Sequence, residues 1–289
     1  MNYWILYARD QAKGEEVNIK VQNETIVHKD FHHLEKAMKM NADGFKIYSS
    51  KVALAGDINN FYRENNIDKW ERIISKGITT TLFLMNISKQ RELEQCQKEA
   101  DDKLQTPIDY VLVPSIPSGI LTPEFIQTLI IKSYPVIEVC FATLDDCKYV
   151  PWDWIRQAVG PASLSFIFRF PVVKNKKEKN QKGQWASHLS MLFHVLPFDN
   201  GPILSKNEMQ MTGIYPKKGS LVRGDADYLL YYNVNADTTN LTEQAEPEPD
   251  IVALRGKIIK AGSEYHLSKG YGKHCENIFP GRLRSINFV

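Results

Sequence analysis

Between Gly56 and Phe170 the chain repeats one pattern, an apolar run of strand length followed by an amphipathic stretch of helical length, and few folds accept it. Ile78–Met85 precedes a helical Lys89–Lys103, Tyr110–Val113 precedes Pro123–Lys132, and Val136–Phe141 precedes Trp152–Val159. Leu164–Phe170 is the next strand. Repeated β-α units joined by short loops imply parallel strands, most simply a β/α barrel or part of one. A complete eight-unit barrel takes about 250 residues and rarely fewer than ~200. The segment 56–212 holds 157 residues and only about five such units. The rest of that segment reads as a lysine-rich loop, Lys174–Lys182, and two helices, Trp185–Val195 and Ser205–Met211. The barrel is therefore truncated or closed in some other way.

The two ends of the chain have a different character. Trp4–Tyr7, Val17–Val21 and Thr25–Val27 alternate as short strands, and Gly44–Leu54 reads as a strand pair. Phe31–Met40 reads as a short amphipathic helix. These strands are too few for an independent sheet unit, and the stretches Gly213–Leu230 and Leu254–Ile259 supply the complement. The expected fold is α/β: a truncated or distorted TIM-like β/α barrel, residues 56–212, inserted in a small β-sandwich built from residues 1–55 plus 213–289. Residues Asn233–Asp250, rich in acid and proline, read as a surface loop.

Four stretches carry a family resemblance. They are Ala55-Gly56-Asp57-Ile58-Asn59 after the strand pair, Lys76-Gly77-Ile78-Thr79-Thr80-Thr81, the run from Gly213-Ile214-Tyr215-Pro216-Lys217-Lys218-Gly219 to Gly224-Asp225-Ala226-Asp227, and Gly270-Tyr271-Gly272-Lys273. In order and spacing they resemble the cyclic amidohydrolases, the group of dihydroorotase, dihydropyrimidinase (hydantoinase) and allantoinase. The third is the most specific, and its glycines and paired aspartates also fit an ordinary structural role as turn residues between strands.

The resemblance implies a barrel whose strand ends hold one or two divalent metals that activate water against a cyclic amide. The ligands it implies are missing here. Where the family has His-x-His, this chain has Phe61 and Arg63; a phenyl ring has no lone pair to give, and a guanidinium is a permanent cation with no acceptor. Glu138 stands where the family's carboxylated lysine would be, and one carboxylate without histidines makes a poor transition-metal site. The fifth strand offers Phe168 and Arg169 in place of a histidine, and none of the seven histidines falls at a strand end. The remnant site is thus read as Phe61, Arg63, Glu138, Phe168 and Arg169, with Arg63, Glu138 and Arg169 converging as an ion cluster; no metal and no cofactor is assigned. No catalytic residue is assigned; Asp57, Arg63 and Glu138 are the candidates. Cys147, after Asp145-Asp146, would be a nucleophile only with a histidine base in reach.

A net charge of +2 gives no general attraction to nucleic acid or membrane, and no stretch reaches the roughly 20 apolar residues of a bilayer span. Four cysteines without a Cys-x-x-Cys pair suit a reducing, cytoplasmic setting. The favoured function is a catalytically degenerate amidohydrolase-like protein that binds or scaffolds; the alternative is a hydrolase of cyclic amide C–N bonds with a rearranged or metal-independent site. The expected partner is a second copy or another protein, docked on the open edge of Leu164–Phe170 where the barrel is truncated; the alternative is that Trp185–Val195 and Ser205–Met211 cover that edge within the monomer, with Trp185, Leu189, Leu192 and Phe193 as packing residues, and a small-molecule ligand is compatible with the fold.

Overall fold

A computed structural model describes residues 2–11, 14–30, 37–59, 67–160, 164–196, 203–232, 247–276 and 278. Phe61 and Arg63 lie outside the described residues, as do Phe31–Lys36 of the expected first helix. Two sheets organise the chain.

The first sheet is parallel. Its strands are β6 (Lys51–Asp57), β7 (Ile78–Asn86), β8 (Asp109–Pro117), β9 (Val136–Cys140), β10 (Ser165–Arg169) and the two-residue β11 (His194–Val195), and they lie side by side in sequence order. Between them run α1 (Ile67–Ile74), α2 (Leu93–Lys103), α3 (Pro123–Ile131) and α4 (Trp152–Val159). Thr122 caps α3 by accepting a hydrogen bond from the Phe125 amide, with Pro123 at the first helical position, which suits its fixed φ.

Strand alternation sorts the side chains into two layers. Phe83, Met85, Leu112, Ile137 and Phe166 face the helices and pack with Ile74, Phe125, Ile126 and Ile155. Leu82, Leu84, Val111, Val113, Val136 and Ile167 face the inner side. In a closed barrel the missing strands would cover that inner face. Here Leu204, Met209, Ile214 and Cys275 cover it, brought in by α6 (Lys206–Thr212) and the C-terminal tail. The outer edge of β6 is met by Ile203 and Leu204, whose amide donates to the Val52 carbonyl at 2.8 Å.

The other edge corrects an expectation. β10 does not end the sheet with bare backbone: β11 pairs with Ser165 and Phe166, and the Leu196 amide donates to the Phe166 carbonyl. Phe166 and Phe168 are buried against Trp152 and Phe193. The first two residues of the seam on which a dimer was expected, Ser165 and Phe166, are thus paired from within the chain. The lysine-rich stretch is likewise not a loop but the first half of one helix, α5 (Lys176–Leu192), capped by Asn175 accepting from the Glu178 amide. Its lysines are good helix formers, so charge there marks a solvated face and not irregular backbone.

The second sheet joins both chain ends in ten strands. β1 (Asn2–Asp10) pairs antiparallel with β2 (Glu16–Gln22), β2 with β3 (Thr25–Asp30), and β3 with β12 (Gly224–Asp225). On its other side β1 pairs in parallel with β4 (Met38–Asn41) and β5 (Phe45–Ser49), so Met38–Met40 is strand rather than the helix end the sequence suggests. From β5 the sheet continues antiparallel through β13 (Tyr228–Tyr232), β14 (Ile251–Leu254), β15 (Lys257–Ala261) and β16 (Glu264–Tyr265). Period-two alternation splits β13: Tyr228 and Leu230 join the sheet's own core, while Leu229 and Tyr231 join the helical layer of the parallel sheet. The expected Gly44–Leu54 strand pair divides at Ser50, with β5 in one sheet and β6 in the other, so the parallel sheet begins at Lys51 and not at Gly56.

A buried ion cluster joins the two sheets. Lys218 is 1% exposed, and its Nζ lies 2.5 Å from Asp109 at the start of β8 and 2.8 Å from both Asp225 and Asp227. Asp109 also pairs with Arg255 and accepts from the Lys273 amide at 2.8 Å. Asp227 accepts from the Arg255 amide at 2.7 Å and from Thr79 Oγ1 at 3.3 Å. The paired aspartates are thus not turn residues alone but acceptors for a buried ammonium. Burial works against the Lys218 charge, but Asp227 and Asp109 overcome it and hold its pKa well above the ordinary value. Burial also raises Asp109, yet Lys218 and Arg255 hold it net below the carboxylate range. In Asp227 burial wins over Lys218 and the pKa is raised.

Replacing Lys218 by Met leaves the buried carboxylates with one cation fewer, and such breakage costs about 3–5 kcal/mol. Because the folded pKa of Lys218 is raised, its contribution is fully present below the unfolded value of 10.5 and fades as pH climbs toward the folded pKa. Urea unfolding of wild type and Lys218→Met is expected to show a stability gap that is level from pH 7 to 10 and narrows in more alkaline solution; a gap that widens there would contradict the assignment.

Candidate functional site

The carboxyl ends of β6 to β10 form the rim where parallel α/β sheets place their chemistry. Period-two alternation fixes which residues reach it from the inner face. Continuing from Leu84, Val113, Val136 and Ile167, the next inward positions are Asn86, Ser115, Glu138 with Cys140, and Arg169. Strand register aligns them, because Asn86 pairs with Ser115 and Ser115 with Glu138.

Glu138 is the centre of this rim. It is 0% exposed, and both of its oxygens are engaged. Oε2 accepts from Ser115 Oγ at 2.5 Å and from Cys140 Sγ at 3.4 Å. Oε1 accepts from Arg169 Nε at 2.9 Å and lies 2.7 Å from Arg169 Nη2. The guanidinium thus holds a single carboxylate oxygen through two nitrogens, and its side chain is 46% exposed at the mouth. Burial pushes the Cys140 thiol up, only partly offset by the Ser115 hydrogen bond, so it remains a thiol at neutral pH.

Asp57 stands at the end of β6 and binds neighbours of its own. Its Oδ2 accepts from Asn86 Nδ2 at 2.8 Å, and its Oδ1 accepts from the Asn59 amide at 2.8 Å and from Asn59 Nδ2 at 3.0 Å. Of the residues assigned from sequence, the structure therefore brings Glu138 and Arg169 together and places Asp57 at the same rim. Arg63 and Phe61 lie outside the described residues. Phe168 is a correction: one residue before Arg169, it points to the opposite side and packs edge-on against Trp152 with ring centroids 5.9 Å apart. Ser115, Asn86 and Cys140 were missed. Their signal was parity, since each lies an even number of residues beyond an inward-facing aliphatic.

Other candidates resolve into structure. Cys147 is buried, and burial raises its thiol to about 12, with Asp146 adding to the effect. Asp145 is held by Lys148 at 2.6 Å. His194 begins β11 opposite Ser165, at the amino end of its strand and away from the rim. His274 lies flat on Tyr110 with centroids 5.2 Å apart, 3.1 Å from Asp101, and so fastens the C-terminal tail to α2. Asp109, Asp225 and Asp227 are close enough to hold a cation, and the Lys218 ammonium is that cation.

The rim's donor set does not fit a divalent transition metal. Its one buried carboxylate is engaged on one oxygen by a hydroxyl and on the other by a permanent cation, Cys140 is a protonated thiol, and Asn86 is a neutral amide tied to Asp57. Among the described residues no histidine stands at these strand ends.

No family model and no curated protein matches the chain. Among solved structures it is similar to dihydropyrimidinase from Brevibacillus agri NCHU1002, with TM-score 0.59 and 13% identity over 96% of this chain and 99% of that one. It is similar to L-hydantoinase (dihydropyrimidinase) from Arthrobacter aurescens, with TM-score 0.53 and 13% identity over 96% and 100%. The atrazine chlorohydrolase from Arthrobacter aurescens TC1, in complex with zinc, gives TM-score 0.53 and 10% identity over 92% and 97%. At such identities the likeness is one of fold alone: the chain shares the architecture of these solved structures.

The rim geometry predicts an asymmetry. Arg169 is half-exposed, so Glu138→Gln lets the guanidinium return to water and costs little, on the order of 1 kcal/mol. Arg169→Leu strands a fully buried carboxylate and costs about 3 kcal/mol. Chemical denaturation of the two variants checks the order; equal losses would contradict it.

Proposed function

We propose that this chain is a catalytically degenerate, cyclic-amidohydrolase-like protein that binds or scaffolds rather than hydrolyses. One observation carries the reading: the buried Glu138 carboxylate, at the position that in the family holds the bridging anion, is paired with the Arg169 guanidinium. A metal-bound hydroxide needs an open coordination position and anionic or imidazole ligands. A guanidinium supplies neither, and it repels a second cation. With Ser115 on the other carboxylate oxygen, Glu138 is a satisfied acceptor, and Asp57 is likewise satisfied by Asn86 and Asn59.

On this reading the partner is a second copy or another protein at the truncated side of the barrel, and the half-exposed Arg169 is the group a small-molecule ligand at the mouth would meet. The four cysteines, all free thiols, support a reducing, cytoplasmic setting. Among the described residues no helix is long and apolar enough to cross a membrane.

The test is turnover. Purified protein supplied with zinc or manganese is expected to leave hydantoin and dihydrouracil unhydrolysed, with the amount of remaining substrate measured by chromatography. Hydrolysis that is abolished by Glu138→Gln would overturn the reading in favour of a hydrolase with a rearranged site.

A further inference from the structure

Outside the rim, α5 rests on the core through Trp185, Leu189 and Leu192. Of its seventeen residues only Leu189 is buried. Yet one of its faces borders a groove of about 1140 Å³ whose opposite wall is the 3-10 turn Leu144–Lys148. Lys177, Gln181, Gln184, Trp185 and His188 line that groove from α5 at spacings i, i+4, i+7, i+8 and i+11, which is one stripe of a helix. Trp185 touches both the core and the groove, and the rest of the stripe carries charge, amides and an imidazole.

The charge has a sign. The groove is lined by Lys148, Lys176 and Lys177 against a single acid, Asp145. Asp145 is already taken by Lys148 at 2.6 Å, whereas Lys176 and Lys177 make no ion pair among the described residues. The same end of the helix carries Lys174, Lys179 and Lys182, and its one acid, Glu178, caps the helix by accepting from the Lys174 amide and Asn175 Nδ2. Such a concentration of one sign raises the local concentration of anions.

The groove is also graded along its length. Lysines stand at one end, amides in the middle, and Trp185 with His188, rings 5.8 Å apart and edge-on, at the other. From Lys177 to Trp185 the helix rises by about 12 Å. We propose that this groove binds a small anion carrying a planar ring, of nucleotide size: its phosphates at Lys176 and Lys177, its ring against Trp185, and its hydroxyls among Asn180, Gln181 and Gln184. The turn Leu144–Lys148 and α5 both follow the carboxyl ends of β9 and β10, the side of a parallel sheet on which ligands bind. None of these residues belongs to the Glu138 network, so binding here succeeds or fails independently of turnover at the rim.

ATP is the probe, titrated into the full chain by calorimetry and tryptophan fluorescence. Saturable binding with quenching is expected. Lys176→Ala with Lys177→Ala weakens it by about tenfold or more and leaves the quench at saturation, since both side chains are exposed and their loss removes only charge-assisted contacts. Trp185→Leu removes the quench, and inorganic tripolyphosphate binds more weakly than ATP without quenching. Should Trp185→Leu fail to fold, the lysine pair and the tripolyphosphate comparison carry the test. The proposal is overturned by absence of ATP binding at about 1 mM, by affinity indifferent to the lysine pair, or by an oligothymidylate that binds better with increasing length, which would make the groove a track for nucleic acid.

Discussion

The architecture depends on one ammonium group. Lys218 is delivered by the connection between α6 and β12, and it reaches Asp109 in the parallel sheet and Asp225 and Asp227 in the other. Arg255 closes the same cluster from the β14–β15 turn. Each of these groups would be costly alone in the interior, and together they satisfy one another. The C-terminal tail follows the same anchor: the Tyr110 amide donates to the Lys273 carbonyl and the Cys275 amide to the Tyr110 carbonyl. The tail can lie this close because residue 272 is glycine; a Cβ there would sit 1.9 Å from the Ile108 carbonyl oxygen.

That anchor explains how half a barrel stays closed. A parallel sheet with helices on one side must still hide its other face. With β11 contributing only two residues, the inner face is left to whatever the chain brings next. The cluster holds the Gly213–Asp227 run and the tail against the sheet, and Met209, Ile214 and Cys275 arrive on the inner face as a consequence. The plug and the ion cluster are two parts of one closure.

The rim inherits its form from the same scaffold. Parallel register lines up Asn86, Ser115 and Glu138, and burial of the carboxylate demands a partner with fixed charge. Arg169 is that partner, two strands from Ser115 and at the solvent boundary. At this rim the carboxylates of Glu138 and Asp57 are both already paired.

Local pattern determined a good deal on its own. The alternation of apolar runs and amphipathic helices specified the parallel sheet, the motif spacing specified the partnership of the chain ends, and the shortage of residues specified an incomplete barrel. Glu138 and Arg169 were legible through the family resemblance, which implies those strand positions, and their residue types say what they cannot bind. Tertiary structure alone decided the rest, because those choices rest on contacts between residues far apart in the chain. Nothing local in Asp109 or Lys218 announces a partner 109 residues away. Nothing in Phe168 distinguishes the helix layer from the rim until the pleat assigns its side. The lysines of 174–182 read as loop by charge and proved helical because an Asn175 cap and a solvated face suffice. At the start of β10, Phe193 and β11 cover Ser165 and Phe166, and the choice between covering this edge within the chain and leaving it open is one of packing that composition does not encode.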